Sequence, residues 1–221
     1  MVLVLLAAAG LLWLSGPRVM AGLERAEHER TLVSLGSGHG IDETRLISAA
    51  RDYEASLVHH SDGRTLSSLA AMRMRMAKHE GYRTPKGAKF LDLTRKADRA
   101  ALLHSPSLTR SWSRLMLVTM IEDLNDPRLP ELLTLAVGTA PDNSRLEPVR
   151  MFGAMIIWDR LNPKQRHVVS EQIIYGARMS MFDLAVMASR FNRVEAVRKA
   201  LAVEPTLLIR FDAEIMRQIT R

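Results

Sequence analysis

Seven histidines are the first residues in this chain to consider for chemistry: His28, His39, His59, His60, His79, His104 and His167. No two of them stand four apart on a helix beside a glutamate, the spacing a zinc hydrolase uses. The adjacent pair His59 and His60 would point to different helix faces and reads as a helix end. No metal site is expected from these spacings. Cysteine is absent, which excludes thiol nucleophiles, cysteine-ligated metals, disulfides and a lipidated-cysteine anchor. Serines are frequent, but neither Gly-x-Ser-x-Gly nor Ser-x-x-Lys occurs. Gly36-x-Gly38-x-Gly40 follows no strand and lacks a Gly-Lys-Ser/Thr ending, so it reads as a hinge rather than a phosphate loop. Glu122 and Asp123 precede the turn signal Asn125-Asp126-Pro127 and read as solvated loop. No catalytic residue, cofactor site or small-molecule substrate emerges, and the chain is not read as an enzyme.

The cations are more informative. The formal net charge is +7, but residues 64–114 alone hold 12 basic groups against 3 acidic ones. Arg73, Arg75, Lys78, Arg83, Lys86 and Lys89 are the candidate contacts for an anionic ligand or a partner. Such a field attracts phosphates, anionic lipid headgroups or acidic polymers. Only Tyr82 and Phe90 interleave with it, which argues against nucleic acid. Thr84-Pro85-Lys86-Gly87 is expected to make the middle of the segment an extended loop. Met72, Met74 and Met76 alternate with arginines, so a helix could bury only part of the set.

The elements that must carry these groups read as helices. Of the 221 residues, 47% are hydrophobic and only 5% aromatic, and strand-forming runs are scarce. Asp42 is a plausible N-cap, and Asn162-Pro163 ends one helix and starts the next. Apolar faces are expected at Leu146, Val149, Phe152, Met155 or Ile156 and Trp158, at Val168, Val169, Ile173, Ile174 and Ala177, and at Leu208, Phe211, Ile215 and Ile219. Met1 to Ser15 carries no side-chain charge and spans about 22 Å as a helix, short of the ~30 Å hydrocarbon core. With residues to 20 it reads foremost as a signal anchor. A cleaved signal peptide or a helix buried in the protein's own core are the other readings. Residues 21–40 read as a juxtamembrane stalk and Gly-rich hinge, and 41–221 as a helical repeat domain.

Ala followed by four residues and then Pro occurs at Ala101/Pro106, Ala136/Pro141 and Ala200/Pro205. The first two are 35 residues apart, and the last two 64, close to twice that period. Trp112 and Leu115 follow Pro106, and Ala49, Tyr53 and Ser56 form a weaker copy. This pattern resembles the tetratricopeptide repeat family, with Trp112 and Leu115 in a first helix and the small residues and closing prolines in a second. Met116 stands where that family has a glycine. The resemblance implies an all-α array of degenerate helical hairpins, a solenoid following one N-terminal apolar helix. It also extends loosely to single-anchor helical-repeat proteins of the bacterial envelope found with surface-polysaccharide machinery. What it implies is a protein-interaction scaffold held at the inner membrane by one span, with its soluble part periplasmic. Its partners would be envelope proteins. The basic residues after the apolar run point the other way, so topology stays open.

Overall fold

The computed structural model describes residues 15–26 and 42–219. They are helical, with no strand among them. The chain divides into two compact units, one ending at Leu108 and one starting at Thr109.

The first unit contains helical residues 15–26, α1 (Glu43–His59), α2 (Gly63–Glu80) and α3 (Pro85–His104). Each of the three long helices starts at a side-chain cap. Asp42 accepts from the Thr44 amide, Asp62 from the Thr65 amide, and Thr84 from the Gly87 amide. Each satisfies a donor that the first turn leaves without a backbone partner. Thr84 to Gly87 is therefore not the extended loop expected from its composition. Pro85 fixes φ for the first helical turn and lacks the amide that would go unused there. The connection is only Gly81–Thr84, and Gly81 sits at φ +83°, a conformation that suits glycine.

Both α1 and α3 pack on α2. Leu46, Ala49, Ala50 and Tyr53 of α1 meet Leu69, Met72 and Met76 of α2 in one buried cluster, with Phe90 of α3 against it. Met74 stays half-buried, so the alternating methionines split between core and rim. Two glycines let backbones approach. A Cβ on Gly63 would stand 2.9 Å from the Ala101 carbonyl oxygen, and one on Gly87 2.0 Å from that of Gly81.

The second unit holds α4 (Thr109–Glu122), α5 (Leu129–Gly138), α6 (Glu147–Ile157), a 3-10 turn (Trp158–Arg160), α7 (Pro163–Met179), α8 (Met181–Arg190), α9 (Val194–Leu201) and α10 (Pro205–Ile219). From α4 onward each helix packs on the next and on the next but one. Asn162 closes a capping box with Gln165 at the start of α7. Val169, Ile173 and Ala177 then bury the face of α7 expected from periodicity. The expected face of α6 holds at Met155, which is buried, and at Val149 and Ile156, which pack against the core, but not at Phe152. Phe152 is 38% exposed, while Arg150, Met151, Ala154, Met155 and Ile157 are buried. Arg150 is held inside with its Nη1 donating to the Ala140 carbonyl at 2.7 Å, just past α5, and burial lowers its pKa.

The positions that suggested repeats lie as follows. Ala49, Tyr53 and Ser56 are buried in α1, and Ala101, Leu115, Ala136 and Ala200 are buried in α3, α4, α5 and α9. Trp112 is half-buried on α4. Pro106 and Pro141 stand exposed in connections, and Pro205 opens α10. The expected N-terminal apolar helix and the Gly36–Gly40 hinge fall largely outside the described residues. Among those described, no helix is long and apolar enough to cross a membrane.

Candidate functional site

One face of α1 repeats every three or four residues through Glu43, Leu46, Ile47, Ala50, Arg51 and Glu54. It borders a pocket of about 670 Å³ closed by the C-terminal half of α2 and the N-terminal half of α3. Leu46, Ile47, Ala50, Met76, Phe90 and Leu93 supply an apolar lining. Arg51, Arg73, Arg75, Lys78 and Lys86 bring five cations to the same cavity, against the carboxylates of Glu43, Glu54 and Glu80. Volume and mixed lining are those of a binding pocket with an apolar floor and a few oriented charges.

The cations divide by partner. Arg73 spans all three helices, donating to Glu54 on α1 at 2.5 Å and to the Leu93 carbonyl of α3 at 3.3 Å. Its side chain is largely buried, so it braces the pocket. Lys86 donates to Glu80 Oε1 at 2.7 Å, and this bond, with the Glu80 and Glu43 charges, raises its pKa. Arg51, Arg75 and Lys78 have no carboxylate partner among the described residues. Burial pushes the Tyr82 phenol above its ordinary range, and the Arg75 charge works against that shift.

Glu43, His79 and Glu80 each offer a ligand atom, all within 4.8 Å of one another. Two carboxylates and an imidazole form a donor set that divalent transition metals accept. Here the Lys86 ammonium lies on Glu80, so a metal ion would have to displace it. His79 Nδ1 stands 3.8 Å from Glu43 Oε2. Glu43 and His79 are 36 residues apart in sequence, and no spacing rule joins them.

Of the six basic residues singled out from sequence, Arg73, Arg75, Lys78 and Lys86 line the pocket, whereas Arg83 and Lys89 are exposed elsewhere on the unit. Arg95 and Lys96 both pair with Asp92, which neutralises part of the basic segment locally. Arg51 was missed because it lies outside the basic run, although its i, i+4 relation to Ile47 was readable. Compared with protein-family models, with curated proteins and with solved structures, the chain matches none.

Proposed function

We propose that this chain is a non-catalytic, membrane-anchored adaptor of the cell envelope, whose first unit captures an acidic segment of a partner protein. The observation that carries the reading is the α1–α3 pocket. Three cations without carboxylate partners among the described residues, Arg51, Arg75 and Lys78, rim an apolar floor. A segment bearing a carboxylate beside one apolar side chain satisfies both features at once. Charge complementarity steers its approach, and burial of the apolar group slows its release.

The scaffold part of the reading is supported by the second unit. Packing of each helix on its next and next-but-one neighbour is what a stacked helical-hairpin array requires. The buried alanines at 136 and 200 allow that approach. The tetratricopeptide-like reading, the inner-membrane site and a link to surface-polysaccharide assembly are parts of this proposal.

The test is a titration of the full chain with a fluorescent peptide that alternates Glu and Leu, beside its Gln-for-Glu counterpart. The acidic peptide binds and weakens as salt rises. Arg75→Ser with Lys78→Ser lowers its affinity about thirtyfold, since each charge-assisted contact contributes on the order of 1 kcal/mol. Equal binding of the acidic and amide peptides would refute acid recognition.

A further inference from the structure

The first unit has two unlike ends. Because α1, α2 and α3 run up, down and up, the C-terminal turns of α1 and α3 lie with the start of α2. Contacts confirm this juxtaposition: Ser61 Oγ is 3.3 Å from His104 Nε2, and Gly63 abuts the Ala101 carbonyl. Helical residues 15–26 arrive at this same end. Glu24 pairs with His59 at 3.3 Å, and Arg25 with Asp62 at 3.2 Å and also with Thr65. Ala21 is fully buried. The segment that follows the uncharged run 1–14 is therefore clamped to one end of the helical unit.

Among the described residues of the unit, that end also carries the most exposed large apolar side chains. Val58 is 84% exposed on the last turn of α1, Leu103 is 87% exposed on the last turn of α3, and Leu23 is 65% exposed beside the clamp. Isolated exposed apolar residues are ordinary on a protein surface. Here all three lie at the end of the unit to which residues 15–26 are clamped. Exposed Arg64 and Arg99 flank them, and Arg99 sits one turn from Leu103 on the same side of α3. An arginine in that place can lay its stem along an apolar surface and keep its head among phosphates. The acids nearby, Glu24 and Asp62, are already paired.

We infer that this end is a bilayer-contact surface: Leu23, Val58 and Leu103 dip into the interface, and Arg64 and Arg99 meet anionic headgroups. The inference rests on the anchored reading above and adds an orientation to it. Thr65 and His79 are separated along α2 by about 21 Å at 1.5 Å per residue. The pocket thus opens well away from the headgroups and takes its ligand from the aqueous phase.

The absence of cysteine makes the test clean. Val58→Cys, Leu103→Cys and, at the pocket, Lys86→Cys are each labelled with a nitroxide in the full chain. Each is reconstituted in vesicles of phosphatidylcholine with a minority of phosphatidylglycerol. The expected result is that labels at 58 and 103 are relaxed more by oxygen than by a polar nickel complex, and the label at 86 the reverse. Both substituted apolar positions are exposed, so the fold tolerates the labels. A chain that floats with the vesicles while all three labels behave as aqueous would overturn the contact surface and leave the anchor standing. A chain that does not float overturns both.

Discussion

Single side chains in this protein are set apart by what partners them rather than by their identity. Arg73, Arg75, Lys78 and Lys86 look equivalent in sequence, yet Arg73 is a brace and Lys86 is held by Glu80. Arg75 and Lys78 remain for a ligand. Glu147 in the second unit behaves differently from surface acids. Burial, with the Asp183 charge adding to it, pushes its carboxyl above the ordinary glutamate range. The folded chain then holds that proton more tightly than the unfolded chain, so stability falls as pH rises through the interval between the two pKa values. Glu147→Gln should raise Tm by a few degrees at about pH 7 and leave it unchanged at about pH 4, where the native carboxyl is already protonated. Thermal melts at the two pH values check this, and equal shifts at both would show that the effect is not protonation. At this scale the sequence was least legible. The basic run was visible, but Arg51 and the Glu43–His79–Glu80 cluster are products of helix packing, which spacing along the chain does not encode.

Helices and their ends were more legible, because caps are local chemistry. Asp42 and the Asn162-Pro163 start followed from residue type alone, and both hold in the structure. Thr84 to Gly87 misled because Thr-Pro and Gly are loop residues by composition. The same residues form an N-cap, a first helical position and a close contact. Gly87 is the sharpest test of this account. A Cβ there would meet the Gly81 carbonyl at 2.0 Å, which is backbone and cannot step aside. Gly87→Ala should destabilise the first unit by about 2–3 kcal/mol. Gly153→Ala should be mild by comparison, because the nearest atoms are the flexible end of Met116 at 3.0 Å. Chemical denaturation of both variants makes the comparison, and similar losses would argue against the close approach at α3. On α6 the expected face departs at one residue, Phe152. Periodicity of apolar residues gives no weight to an arginine, yet Arg150 is buried with its Nη1 on the Ala140 carbonyl, while Phe152 is 38% exposed.

At the scale of the whole molecule, all-helical architecture was readable from low aromatic content and three- to four-residue periodicity. The division after Leu108 was not, since Ser105-Pro106-Ser107 reads like any other turn between two helices. The three Ala-to-Pro steps mark buried helix positions followed by connections, and each helix of the second unit packs on its next and next-but-one neighbours. The proposal joins these levels: a helical scaffold, a clamped N-terminal segment, and a pocket set away from it. Its central claim is that the pocket holds an acidic partner segment in the cell. The most direct measurement is site-specific photo-crosslinking in native membranes from a benzoylphenylalanine placed at Ile47, on the pocket wall. The account predicts a discrete protein adduct that disappears when Arg75 and Lys78 are both changed to Ser, and that does not form from the same probe at Lys89, which does not line the pocket. An adduct from Ile47 that persists in the Arg75/Lys78 double variant, or none at all, would contradict it.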